Sequence, residues 1–211
     1  MTAGKTSIDR ENKPDGKSDR RTRADAQRNT DAILQAAKAV FATAGVAAPV
    51  REIAAQAGVG IGTVYRSFPK RSDLIAAVFR REVDNFAEAA EALSGQRAPA
   101  DALSQWAQLY VDFLATKRGL GAALYSGDPA YEALPGYFRG RLEPVLKSLL
   151  ERAIAAGEVR TDIAPYDLLR AVGNLASTSD SSGPEHARRM VAVLIDGLRF
   201  GANASPPIGE E

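Results

Sequence analysis

The stretch "VREIAAQAGVGIGTVYRSFPKRSDL", Val50 to Leu74, carries Ala, Gly, Ser and Thr where a helix would normally present Leu, Glu and Lys. It also runs into a basic pair, Lys70-Arg71. Its pattern predicts a short helix over "VREIAAQAG", a second over "GTVYRSF", and a tight turn between them. Gly58 falls at the reversal, where a left-handed backbone favours glycine. Ala54, four residues earlier, is small enough for the second helix to cross closely. Val64, six residues after Gly58, is apolar and packs back between the helices with Ile53 alongside. Alanine, glycine four later and valine six after that is helix-turn-helix spacing. An ordinary helical hairpin would also use small residues for close packing. Tyr65 and the basic pair favour the helix-turn-helix.

Such a second helix would expose Gly60, Ile61, Gly62, Thr63, Arg66 and Ser67, with Tyr65 beside them. Small residues at its start let it sink into a major groove, where base edges carry distinct donor and acceptor patterns. Thr63, Tyr65 and Ser67 can donate to phosphates or bases, and the helix N-terminus favours phosphate. Arg51, on the first helix, joins this candidate set. Lys70 and Arg71 open the next helix, where cations oppose its dipole. A nearby phosphate would remove that conflict.

Outward from this stretch, helical signals dominate. "RNTDAILQAAKAVFATAGV" places Ile33, Ala37, Val40 and Phe41 at helical spacing, with Asn29 or Thr30 as cap and Gly45 as stop. Residues 1–26 are polar, with mixed charge, and read as a disordered arm ending in the basic cluster "RRTRADAQR". That cluster is either a solvated tail, the favoured reading, or a DNA-contacting arm. Downstream, "KRSDLIAAVFRREVDNFAEAAEAL" carries the apolar stripe Leu74, Ile75, Val78, Phe79, Val83 and Phe86. Further helices follow in "ADALSQWAQLYVDFLATKRG", "LGAALYSG", "YFRGRLEPVLKSLLERAIAAGEV", "PYDLLRAVGNLAST" and "GPEHARRMVAVLIDGLRFGA". Pro144 is expected to kink or start its helix, and Pro165 suits a first turn. No period-two run of β-branched residues suggests a strand. The expectation is an all-α chain of roughly nine helices. Its parts are an arm at 1–26, a DNA-binding head at 27–72, a helical body at 73–203 and a disordered tail at 204–211.

Bulk properties agree with that plan. The 211 residues are 45% hydrophobic and 25% charged, with no cysteine, so disulfides and thiolate chemistry are excluded. The net charge of +1 is uneven: residues 1–80 hold 14 Lys and Arg against 8 Asp and Glu, and residues 81–211 hold 13 against 18. A basic first part joined to an acidic second part suggests that only the first meets a polyanion. No apolar run reaches the roughly 18 residues of a membrane span. The N-terminus lacks the apolar core of a signal peptide, so a cytoplasmic location is expected.

"REIAAQAGVGIGTVYRSFPKRSDLIAAVF", preceded by the helix ending "FATAG", resembles the DNA-binding domain of the TetR family of bacterial transcriptional regulators. The resemblance is specific over about residues 28–80 and diffuse beyond. It implies a three-helix head on a helical ligand-binding and dimerisation body, and a repressor that releases DNA when a small molecule binds. Thr63 and Tyr65 match frequent DNA-contacting positions of the family. Arg71 matches its usual lysine, which implies a phosphate contact. The chain departs from the pattern at Ser67, where histidine is common, at Pro49, where threonine is common, and at Lys70, where a small residue is usual.

The resemblance further implies a pocket within residues 95–185 and a dimer interface on the last two long helices. Candidate pocket residues are Trp106, Tyr110, Phe113, Leu114, Tyr125, Tyr137, Phe138 and Leu142, aromatic or apolar groups on helices able to surround a cavity. Each of them also has a plain reading as core. The tyrosine hydroxyls suit a moderately apolar effector with a polar handle. Leu168, Ala171, Val172 and Leu175 form one candidate interface face; Met190, Val193, Leu194 and Gly197 form the other, within a broad face that reaches Gly201. Two such faces can meet a symmetry mate as a four-helix bundle or bury against their own domain. A dimer would place two recognition helices on half-sites roughly 34–36 Å apart, so the operator should be palindromic.

Enzymatic function is not expected. The single histidine, His186, sits near a predicted helix start. No phosphate-binding loop or His/Glu metal pair at helical spacing is present. "GVGIG" lacks the preceding strand of a dinucleotide fold. No catalytic residue, cofactor or metal is assigned. The partners expected are double-stranded DNA, a small-molecule effector and a second copy of the chain. The alternative is a helical DNA-binding or scaffold protein without a ligand.

Overall fold

The computed structural model describes residues 16–95, 97–116, 127–177 and 183–201. Among these residues are eight α-helices, one short 3-10 turn and no strand. They are α1 (Gly16–Ala44), α2 (Val50–Ala57), α3 (Ile61–Ser67), α4 (Arg71–Ser94), α5 (Pro99–Thr116), η1 (Pro129–Tyr131), α6 (Leu134–Ala155), α7 (Pro165–Ser177) and α8 (Gly183–Phe200). Eight of the expected helices are present. The ninth, expected over 120–127, falls on residues outside the described ones except Gly127. So does the expected tail at 204–211.

The head is built by α1, α2 and α3 on the start of α4. From α1, Ile33, Ala37, Val40 and Phe41 are buried, which is the stripe read from the sequence. Gly45 closes this helix with φ +77°. Helix α1 begins at Gly16, earlier than the disordered arm expected over 1–26 would allow. From Lys17 to Ala44 the chain holds no Pro or Gly, and Ala, Arg and Gln are good helix formers. Local pairs on this segment add support: Arg28 with Asp25, and Gln27 donating to Asp31 at 3.5 Å. The low apolar content of the segment reads as disorder, but helix propensity and continuity with a buried helix carry it into α1.

Helix α4 is the shared element. Its 24 residues span about 36 Å at 1.5 Å per residue. Its first half seals the head through Leu74, Ile75 and Val78, and its second half enters the body through Val83, Phe86 and Ala87. Two ion pairs fasten α1 to its middle: Arg81 to Asp31 at 2.5 Å and Lys38 to Glu82 at 2.9 Å. In the body α5 is central, packed against α4, α6, α7 and α8. Trp106, Leu103, Leu134, Leu142, Leu146, Leu168 and Ile195 are almost wholly buried there. Pro144 lies inside α6, ten residues after its start, and does not begin it. Pro144 and Gly140 are both exposed, so solvent can take up the Gly140 carbonyl that proline leaves unbonded. Pro165 does open α7.

Candidate nucleic-acid interface and effector domain

The turn after α2 has the predicted form. Gly58 adopts φ +67°, and the Val59 N–H donates to the Ala54 carbonyl at 3.0 Å. The chain thereby reverses within three residues. Ile53, Ala54 and Val64 are buried at 0%, 4% and 1% exposure, so the three positions read from the sequence form the joint between α2 and α3.

Sealing Val64 inward turns the rest of α3 outward. Ile61 and Tyr65, neighbours one turn apart on this seven-residue helix, are both about half exposed. Gly60, Gly62, Arg66 and Ser67 are exposed as well, and Thr63 is half-buried. An added Cβ at Gly60 or Gly62 would meet nothing in the protein, so intramolecular packing does not require glycine there. Arg66 folds back along its own helix. Its Nε donates to the Gly62 carbonyl at 3.3 Å and its Nη2 to Thr63 Oγ1 at 3.1 Å. The Thr63 hydroxyl therefore keeps its own proton for an external acceptor. Arg51 and Lys70 are exposed on the same head. This places most of the candidate DNA residues together on and beside one short helix.

Arg71 is the exception. Its Nε donates to the Val46 carbonyl at 2.7 Å, and its Nη2 donates to the Ala48 carbonyl. The guanidinium is half-buried and engaged with the α1–α2 loop, which sets it apart from the exposed candidates expected to meet phosphate. The dipole argument changes with it. Asp73, in the first turn of α4, accepts from the Lys70 N–H at 3.0 Å and supplies the negative charge that turn favours. No phosphate is needed to relieve a conflict. Sequence reasoning missed this because the carbonyls Arg71 reaches lie 23 and 25 residues away.

In the body, the aromatic candidates converge. Trp106, Tyr110, Phe113 and Phe138 form one layer with Phe86 and Phe79, ring centroids 5.0–6.3 Å apart. Phe86, assigned in the sequence only to the α4 stripe, touches three of these rings, as Tyr110 and Phe138 also do. Trp106 and Tyr110 are buried; Phe113, Leu114, Tyr137 and Phe138 are half-buried. Leu142 is fully buried core, and Tyr125 lies outside the described residues. Desolvation raises the pKa of the Tyr110 phenol well above its usual value. Tyr137 stands at the edge of the layer and donates to both Asp84 carboxylate oxygens, at 2.7 and 2.6 Å. Arg141 binds the same carboxylate at 2.7 Å, so α4 and α6 are joined by a three-residue polar clasp. Burial, then the Asp84 hydrogen bond, raises the Tyr137 phenol pKa.

The candidate interface faces separate into two groups. Leu168 and Val172 are buried at 1% and 0% within the protomer, which corrects their assignment to a subunit interface: α7 turns them onto its own domain. Ala171, Leu175, Met190 and Leu194 are half-buried, Gly197 is exposed, and Val193 is 65% exposed. Phe200, absent from the candidate set, is 86% exposed at the end of the same helix. On α8 the buried side is Ala187, Val191, Ile195 and Leu198, and the second apolar side faces outward.

Among the described residues, no helix is long and apolar enough to cross a membrane. No group of three or more His, Asp or Glu there could hold a metal ion.

This arrangement, a helix-turn-helix head sharing a long helix with an aromatic-lined helical body, is that of a bacterial transcriptional regulator. Residues 33–78 match the bacterial regulatory proteins of the tetR family, and residues 98–200 match the SbtR-like transcriptional regulator C-terminal domain. A TetR transcriptional regulator from Streptomyces coelicolor is similar at 36% identity over 81% of this chain and 98% of its own, with a TM-score of 0.67. A TetR transcription regulatory protein from Mycobacterium vanbaalenii is similar at 33% identity over 84% and 99%, with a TM-score of 0.64. At 19% identity, over 81% and 97%, the Bacillus subtilis regulator FadR, solved with stearoyl-CoA, shares the fold with a TM-score of 0.60. No curated protein matches the sequence. The chain belongs to the TetR family. It is a DNA-binding transcriptional regulator, of a family that binds operator DNA as dimers and responds to small-molecule effectors.

Proposed function

We propose that the chain is a cytoplasmic repressor that leaves a palindromic operator when an effector enters the aromatic layer of its body. One observation carries the reading. Helix α3 seals Val64 at 1% exposure and leaves Ile61 and Tyr65 half exposed beside two unobstructed glycines. That surface has no use within the protomer and suits the floor of a major groove. Gly60, Ile61, Gly62, Thr63, Tyr65 and Ser67 meet bases and adjacent phosphates. Arg51, Arg66 and Lys70 meet the backbone, with Arg66 swinging off Thr63 to do so. Arg71 holds the head together from behind.

The homodimer forms on the outward side of α8, Met190, Val193, Leu194 and Gly197 with Phe200, together with Ala171 and Leu175 of α7. Two heads then span half-sites about 34–36 Å apart. Helix α4 connects the events. Asp73 at its DNA end and Phe86 in the aromatic layer are about 20 Å apart along one rigid helix. An effector that binds one separation of the two heads better than the other shifts the population between them.

Fluorescence anisotropy on the DNA flanking its own gene tests the reading, at several salt concentrations and with unrelated DNA as competitor. Binding that survives competition is expected. Binding that competitor removes and salt erases would reduce the interaction to phosphate attraction and overturn sequence-specific regulation.

A further inference from the structure

Two buried polar atoms on α5 have no hydrogen-bond partner among the described residues, Trp106 Nε1 and Gln105 Oε1. The large majority of buried polar side-chain atoms are paired, and one left unpaired calls for an explanation. Consecutive helical residues diverge by about 100°, so the two side chains leave α5 in different directions. Only Trp106 belongs to the aromatic layer: its ring lies 5.4 Å from Phe86 and 5.3 Å from Tyr110. Trp106 is 1% exposed, whereas Phe113 and Phe138 of the same layer stay half-buried. The indole is therefore the deep end of a layer whose outer rings reach solvent.

We infer that Trp106 Nε1–H is the polar contact for the effector, an uncharged, largely aromatic or apolar molecule that presents a carbonyl-type acceptor. This rests on the regulator reading above and names the chemistry of its effector. An indole N–H donates and cannot accept, so its partner must carry a lone pair. The rings around it offer stacking and apolar contact. An ionised group brought into the layer would need a counter-charge there. The charges of both signs on these helices are already paired with each other, Asp84 with Arg141 and Asp112 with Arg188 at 2.6 Å. A neutral carbonyl satisfies the donor without introducing an unmatched charge.

Trp106 is the only tryptophan of the chain, so the full-length protein has one indole resonance and it reports on this atom. Three matched probes are titrated while that resonance is followed by 15N–1H NMR: N-methylbenzamide, propylbenzene and benzoate. N-Methylbenzamide should move the indole proton downfield in a saturable manner. Propylbenzene and benzoate should bind about tenfold more weakly, or more, and leave the proton in place. In Trp106→Phe, calorimetry should show the amide losing about tenfold in affinity, down to the level of propylbenzene. The wild-type titration stands without the variant if the substitution impairs folding. An amide no tighter than propylbenzene or benzoate, or binding that leaves the indole unmoved, overturns the proposal. So does an indole that no probe shifts, whose partner is then an ordered water. Operator binding is measured on the same samples. Retained operator preference with a silent indole rejects this proposal alone; absent operator preference rejects the regulator reading.

Discussion

Arg71 separates two physical accounts of the same charge. If it neutralises a phosphate, its removal weakens DNA binding and leaves the fold intact. If it clamps the α1–α2 loop, its removal loosens the head. Its Nε and Nη2 donate to the Val46 and Ala48 carbonyls, and hydrogen bonds from a charged donor contribute about 1.5–3 kcal/mol each where buried. The guanidinium is half-buried, and water can partly replace it on both carbonyls. The lower end therefore applies to the pair together, about 2 kcal/mol for Arg71→Ala. In a protein of this size that lowers Tm by about 4–8 °C. Urea unfolding should show the same loss in midpoint with an unchanged slope. The operator assay gives the complementary number. Each phosphate contact adds about 0.9 to the slope of log affinity against log salt. A clamp leaves that slope unchanged, even if weaker head packing lowers affinity uniformly. An Arg71→Ala protein with unaltered Tm and a salt slope reduced by about one would refute the clamp and restore the phosphate assignment.

Other substitutions separate stability from recognition in the same head. Gly62→Ala should raise stability by up to about 1 kcal/mol, because its Cβ meets no protein atom inside a helix. The same variant should lose operator affinity at least tenfold, since the methyl fills the gap to DNA; thermal melts and anisotropy on one preparation check both signs. Tyr65→Ala, at a half-exposed position, should change unfolding free energy by less than about 0.5 kcal/mol while removing operator preference over competitor DNA. Burial raises the Tyr110 pKa, so the folded state keeps a proton that the unfolded chain releases near its ordinary value of about 10. Stability should therefore fall as pH climbs past about 10, and urea midpoints of Tyr110→Phe should fall less over that range.

Much of the fold was legible because its signals are local. Gly58 ends α2 with a left-handed residue, Gly45 ends α1, and the stripes of α1 and α4 repeat at helical period. The helix-turn-helix joint needs residues only ten apart, Ala54 to Val64, and each was readable by size. The start of α1 is less legible, because low apolar content is a poor guide where helix propensity and an unbroken chain suffice.

The sequence by itself determined the helical class, the position of the turn and the surface of α3. A seven-residue helix that must bury Val64 has little choice over what it exposes. Only the tertiary structure decided which partner each remaining side chain found. Arg71 reads as a DNA contact until the chain folds 25 residues back to offer it carbonyls. Leu168 and Leu194 read as equivalent interface leucines until α7 and α8 pack, burying the first and leaving the second partly exposed. Phe86 reads as one more stripe residue until α5 brings Trp106, Tyr110 and Phe113 against it. A helical face is fixed by periodicity within the helix, but its partner is fixed by the crossing of helices distant in sequence, which local periodicity does not encode.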